Sequence, residues 1–339
     1  MKRVYIIIPI LLAVLFASCT PADDNGGKID ISDAVTGESI ATAKDLIEFA
    51  ENGASSTANI IADIELGSEM LKILSSRRQL VIEGNGHTIT GDGDCLIRLD
   101  DGCALSMRNV SLVAGSDGLG FVGDGEIFAD NVSIDAVAHG INAVGNIKID
   151  SNTSMVVYAS SGYGITAQGL DIGSDSMVAF EAQLGAVNIT AEEMTLGERS
   201  TLTASSGAYN AIKCYNTLVM RDGSTLNVTN TSKYHGAEIQ SLRVEGKVTI
   251  NAVGGGNGVG LFIAELREDI YVMGSCDPEP RYEKAGDALI SLMSFRTLPR
   301  RPRRRAMIWG RMTEHGHFRQ APHKSAEAAK DETGQDSCA

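Results

Sequence analysis

VSIDAVAHGINA, residues 132–143, alternates apolar Val132, Ile134 and Ala136 with polar partners, breaks at His139 and Gly140, and resumes with Ile141 and Ala143. Alternation of this kind, rich in Val and Ile and punctuated by Gly or Asn, marks a short strand with one buried face. The same design recurs on both sides: VSLVAGSDGLGF (110–121), SMVVYASSGYGITA (154–167), SMVAFEAQLGAVNI (176–189), STLTASSGAYNAIK (200–213), STLNVTNTSKYHGAEI (224–239) and VTINAVGGGNGVGLFI (248–263). Between these segments lie shorter strands, among them NIKID (146–150), LDIG (170–173) and LRVEG (242–246). A strand pattern returning about every 21 to 26 residues, with no helical pattern between, predicts one coil of a stacked parallel sheet per repeat. Neighbouring coils then stand about 4.7–4.9 Å apart.

Composition agrees with a narrow solenoid. A chain with 37 glycines and 5% aromatic residues has little with which to fill a wide core. Glycine and asparagine are expected at tight corners, where positive φ is needed. The segment VIEGNGHTITG (81–91) resembles the first coil of right-handed parallel β-helices of the pectate-lyase-like type, and the later coils resemble surface β-helices that bind carbohydrate. That resemblance covers about residues 42–293 and implies an all-β fold: a single right-handed parallel β-helix solenoid of about nine coils. A solenoid needs closed ends. TAKDLIEFAENG (42–53) predicts a short amino-terminal capping helix, with Thr42 as cap, Asp45 three residues on, Gly53 as stop, and Leu46, Phe49 and Ala50 as the buried stripe.

The chain opens with Lys2 and Arg3, an apolar run from Val4 to Phe16, then Ala17 and Ser18 before Cys19. The run is too short to span a bilayer and suits a secretory signal. Its end resembles a bacterial lipobox, with Phe16 where that family usually has Leu, which implies lipid attachment at Cys19, export and an outer-membrane location. Residues 20–41 read as a flexible linker, and its acidic pair Asp23 and Asp24 resembles a surface-export signal of Bacteroidetes-type lipoproteins. Residues 294–339 depart from the repeat altogether and read as a basic tail, disordered or the product of an altered reading frame.

Charge divides along the chain. Residues 20–293 hold 17 Lys and Arg against 38 Asp and Glu, while residues 294–339 hold 10 against 5. An acidic body argues against nucleic acid and anionic membrane surfaces as partners, and implies that an acidic glycan would need a bridging cation such as calcium.

Several motifs bear on chemistry. GLGFVG (118–123) has the spacing of a dinucleotide fingerprint, but a strand pattern follows where the phosphate site needs a helix. Asp92, Asp94, Asp100 and Asp101 fall within ten residues and are the candidate Ca2+ ligands, since calcium takes six to eight oxygens. Paired acids on neighbouring coils would suit a polysaccharide lyase or glycoside hydrolase acting on an acidic glycan, although the motif series of polygalacturonases is absent. Asp175–Met177, DSM, resembles a bacterial O-glycosylation triplet. Of the cysteines after Cys19, Cys95 and Cys103 are nearest in sequence and could pair; buried free thiols are the alternative.

The most informative constellation is a column. The residue before the recurring glycine or its substitute is Asp117, His139, Tyr163, Leu184, Tyr209 and His235 on successive coils. In register, His139, Tyr163, Tyr209 and His235 would form a row of rings along one edge, able to meet successive sugars through apolar faces and polar tips. Polysaccharide binding by these four residues is the functional expectation, with a corner-stabilising ring ladder, an enzyme, or a structural adhesin as the other readings.

Overall fold

The computed structural model describes residues 37–53, 57–256, 258–265, 271–274 and 289–293. The signal with Cys19, most of the linker, Cys276, Cys338 and the tail from 294 lie outside the described residues. The rest is an all-β parallel solenoid of about nine turns, consistent with the right-handed winding that parallel crossovers adopt. Every strand pairing is parallel and joins a strand to one in the coil above or below.

Three faces make up each coil. In the coil around VSIDAVAHGINA, the first face and the second are one bent strand, Gly125–Ala136, and the third is Ile141–Ala143. The next coil splits these into Ile147–Ile149, Ser154–Ala159 and Tyr163–Ala167. Alternation sends every second side chain inward, so identical positions stack into apolar ladders. On the first face Leu80, Leu105, Ile127, Ile149, Ile172 and Leu196 are in register and fully buried. Ile89, Leu112, Ile134, Val157 and Phe180 do the same on the second. Each such side chain contributes about 1.5–3 kcal/mol by leaving water, repeated coil after coil.

The corner from first to second face holds a left-handed residue on each coil from Asn85 onward, joined on the first of them by Gly86 at φ 83°. Asn85, Asn109, Asn131 and Asn152 have φ of 51°, 47°, 54° and 60°, followed by Asp175 at 58° and Arg199 at 55°, then Gly223 and Gly246 at 72° and 102°. Asparagine tolerates this region because its short polar side chain bonds locally; Asn131 Nδ2 donates to Asn109 Oδ1 at 3.1 Å. Arg199 is the exception by residue type. Its guanidinium makes a two-pronged pair with Asp175, both bonds 2.7 Å, which ties its corner to the coil before.

The recurring glycines before the third face have a different cause from the one the sequence suggests. Gly118, Gly140 and Gly164 are not in the positive-φ region. A Cβ on Gly140 would stand 2.1 Å from Val157 Cγ1 and 2.6 Å from the Gly164 carbonyl oxygen, and one on Gly118 would meet Ile134 Cγ2 and the Gly140 carbonyl at 2.6 Å. Close approach of the next coil, not backbone handedness, requires glycine there.

The amino-terminal lid forms as expected, a helix over Ala43–Asn52. Thr42 accepts the Asp45 N–H at 3.2 Å, and Leu46, Phe49 and Ala50 are buried. Gly53 ends the helix with φ −58°, so it too is there for space: a Cβ would lie 2.6 Å from the Phe49 carbonyl it bonds. At the other end the order of strands changes. Leu289–Met293 inserts between Lys247–Val253 and Tyr271–Gly274, pairing with both, where the sequence pattern reads as one further coil with a long loop.

Candidate functional site

Strand register redraws the ring column. Ile141 pairs with Ile165, so His139 and Tyr163 do share a position. Tyr163 then pairs with Gly185, not with Leu184. Val187 pairs with Ile212 and Ile212 with Ala237, which puts Asn210 and then His235 in that column and leaves Tyr209 one residue outside it. The slip has a physical origin. The close-approach position is filled by Ala186 and Ala211 on two coils, and Gly185 just before it is a second, unrelated glycine. Gly185 makes room for Tyr163, whose Cε1 lies 2.9 Å from where its Cβ would be.

Rings therefore meet in pairs along the corner from second to third face. His139 and Tyr163 stack with centroids 5.8 Å apart and planes 13° from parallel. Tyr163 leans toward the following coil, where its ring covers Gly185. Tyr209 and Tyr234 meet at 5.3 Å and 55°, and His235 stacks on Phe262 at 5.2 Å and 19°. Tyr215 stands at the other end of the third face, on the irregularity between Cys214 and Thr217, and carries Lys213 Nζ 4.6 Å over its ring; at the ring corner itself Tyr234 carries Lys233 Nζ at 5.6 Å. Tyr209 and Tyr215 are 47% and 55% exposed; Tyr163, His139, Tyr234, His235 and Phe262 are half-buried. Three of the five tyrosines between residues 57 and 256 lie at this corner; Tyr215 is across the third face and Tyr158 on the second. Tyr234 and Phe262 were not legible as members because only register brings them beside the others.

The column residues also hold the coils together. Asp117 Oδ1 accepts the His139 N–H at 2.9 Å, and His139 Nδ1 accepts the Tyr163 N–H at 3.1 Å. Asn210 Oδ1 accepts the His235 N–H at 3.0 Å, and His235 Nδ1 accepts the Val259 N–H at 3.1 Å. Each side chain satisfies a corner amide of the following coil, which removes an unpaired buried donor. With Nδ1 as the acceptor, Nε2 is the nitrogen of each ring left to donate. Burial pushes the His235 pKa below its ordinary value, only partly offset by Glu238.

The four aspartates are not gathered into one site. Asp92 and Asp94 precede the strand Cys95–Leu99 and Asp100 and Asp101 follow it, so they occupy opposite corners of one coil, separated by a five-residue strand of roughly 17 Å. Asp100 Oδ2 accepts the Ser75 N–H at 3.1 Å, and Asp101 Oδ1 the Asp124 N–H at 2.9 Å, the same corner duty as Asp117. Among the described residues no group of three or more His, Cys, Asp or Glu side chains is placed to share a metal ion. His87, at the first coil's corner, meets Asp63 at 3.2 Å.

Three further expectations are corrected or resolved. Cys95, Cys103 and Cys214 are buried free thiols, so Cys95 and Cys103 are unpaired; burial and the Asp117 charge push the Cys95 pKa up to about 11. Ser176 of the DSM triplet is fully buried and accepts the Thr153 N–H through Oγ, out of reach of a glycosyltransferase. The glycines of 118–123 lead into the strand Gly125–Ala136, with no helix to receive a pyrophosphate.

At the corner from third to first face a groove of about 500 Å³ is lined by Asp124, Asn146, Lys148, Asp171, Glu192 and Glu193. This is where catalytic acids of a lyase or hydrolase would be sought. Asp124, Asp171, Glu192 and Glu193 are all exposed, and Lys148 is paired with Glu126 and, at 3.6 Å, with Asp150. Comparison of the chain with protein-family models, curated proteins and solved structures returns no match.

Proposed function

We propose that this protein binds polysaccharide along the ring-bearing edge of its solenoid, as an exported lipoprotein anchored at the outer membrane through a lipidated Cys19. The observation that carries the reading is the placement of the rings. The core is almost wholly aliphatic, while His139–Tyr163, Tyr209–Tyr234 and His235–Phe262 lie at the surface along one edge, Tyr209 exposed and the other rings half-buried. A ring that only filled space would be worth more inside, where full burial contributes about 1.5–3 kcal/mol. Left at a rigid surface, tyrosine and histidine offer an apolar face for the C–H side of a sugar and a polar tip for its hydroxyls. The leader with its small residues before Cys19, the polar linker and the acidic body fit presentation outside the cytoplasm, without nucleic acid as a partner.

The test is retention of the mature chain on a panel of immobilised neutral and acidic polysaccharides. Wild type is expected to be retained on at least one, and Tyr163→Ala with Tyr209→Ala to lose retention while the far-ultraviolet circular dichroism of the sheet is unchanged. Equal retention of the variant, or no retention of wild type across the panel, would instead favour a structural or adhesive surface protein. Radiolabelled palmitate incorporation lost in Cys19→Ser checks the anchor.

A further inference from the structure

Charge is distributed unevenly around the solenoid. The body is acidic, and the cations Lys148, Arg199, Arg221 and Arg243 are each paired with a carboxylate. Lys213 and Lys233 are placed differently, on adjoining coils: Lys233 lies over Tyr234 of the ring-bearing edge, and Lys213 projects from the third face beside that edge, over Tyr215 and near Tyr163. The groove acids Asp124, Asp171, Glu192 and Glu193 line a different corner, from third to first face. Glu238, in register with Lys213, accepts the Asn210 side-chain N–H at 2.6 Å.

Hydrogen-bond bookkeeping adds to the charge. With Nδ1 of His139 and of His235 already accepting a backbone N–H, the remaining nitrogen of each imidazole is a donor. Tyrosine hydroxyls and two ammonium groups complete a set of side-chain tips rich in donors, with the Glu238 carboxylate beside Lys213 as the acid among them. Such an edge matches a ligand rich in acceptors with negative charge, since hydrogen bonds between ammonium and anionic oxygen are the stronger kind. We propose that the ring-bearing edge selects glycans carrying carboxylate or sulfate groups, held directly by Lys213 and Lys233 with no bridging metal ion. This rests on the polysaccharide-binding reading and names its ligand class. It also replaces the expectation from net charge that an acidic glycan would need calcium, because local placement overrides the charge of the body within a Debye length of about 8 Å.

Three matched polymers test it: dextran, carboxymethyl dextran and dextran sulfate, immobilised at equal sugar density, with EDTA present throughout. The expected result is retention of the mature protein on a charged polymer about tenfold above dextran, as two exposed charge contacts imply. Preference for the carboxymethyl or the sulfate form assigns the anion. Lys213→Gln with Lys233→Gln is expected to abolish the preference, bringing retention on the charged polymers down to that variant's retention on dextran. Equal retention on all three polymers overturns the charge selection while the polysaccharide reading stands. A preference that survives in the lysine variant also overturns it, because the basic segment 294–339 then supplies the attraction. No retention on these polymers, with retention on the neutral panel, overturns only the charge selection; no retention on either overturns both.

Discussion

Gly140→Ala isolates the contact that sets how closely the coils wind. The added methyl would stand 2.1 Å from Val157 Cγ1 and 2.6 Å from the Gly164 carbonyl oxygen. Val157 is β-branched with one preferred rotamer, and it is fully buried in the second-face ladder, so it has little room to turn away. The carbonyl belongs to the backbone of the next coil and accepts no adjustment without stretching the parallel ladder. Overpacking of this kind costs about 1–3 kcal/mol. At a guanidinium m-value of about 4 kcal/mol/M, a loss of 2 kcal/mol lowers the midpoint by about 0.5 M. The control is Ala186→Gly, at the equivalent place two coils on, where a Cβ is already accommodated; it should cost no more than about 1 kcal/mol. Adding Val157→Ala to Gly140→Ala should be less destabilising than the sum of the two by at least about 0.5 kcal/mol, since the deleted methyl relieves the side-chain half of the clash. The assay is denaturation of the mature chain followed by circular dichroism. A Gly140→Ala midpoint equal to wild type, or strict additivity in the cycle, would refute the argument that close approach dictates this glycine.

Other outcomes follow from the corners and the buried groups. His235 has its pKa lowered by burial, so its neutral form contributes stability fully present above its unfolded value near 6.5 and lost as pH falls through the depressed folded value. His235→Asn, copying the acceptor that Asn210 supplies on the preceding coil, should flatten the stability profile below pH 6.5, measured by thermal melts. Asn131→Ala should cost about 1–2 kcal/mol at its left-handed corner, and Asn131→Gly markedly less, read from chemical denaturation midpoints. Cys95, with its thiol pushed up to about 11, should resist a thiol reagent at pH 8 in the folded protein and react once denaturant is added; rapid modification of the native chain would contradict its burial.

The solenoid was legible because its cause is local and repeated. Alternation at Val132, Ile134 and Ala136 and its echoes on each coil fix strand faces, and the capping helix reads directly from Thr42, Leu46, Phe49 and Ala50. The candidate site was legible only in part. His139 and Tyr163 fall together because the coils on either side keep the same spacing, but Tyr209 does not join them, since a glycine at 185 and alanines at 186 and 211 shift the visible landmark by one residue. One residue of slip moves a side chain to the opposite face of a strand. The aspartate cluster failed for a related reason: nearness in sequence around Cys95–Leu99 means opposite corners in space, because an extended strand carries the chain about 3.3 Å per residue.

The sequence by itself determined the periodic strand pattern, the aliphatic interior, the amino-terminal lid and the acid balance of the body, all of which depend on residues within one coil. Tertiary structure alone decided which residue of each coil stands beside which. That choice rests on where a Cβ meets the carbonyl of the following coil, a distance between residues some two dozen positions apart. It sets the ring pairs, gives Asp117, His139, Asn210 and His235 their corner amides, and brings Lys213 and Lys233 over tyrosines on neighbouring coils of the solenoid.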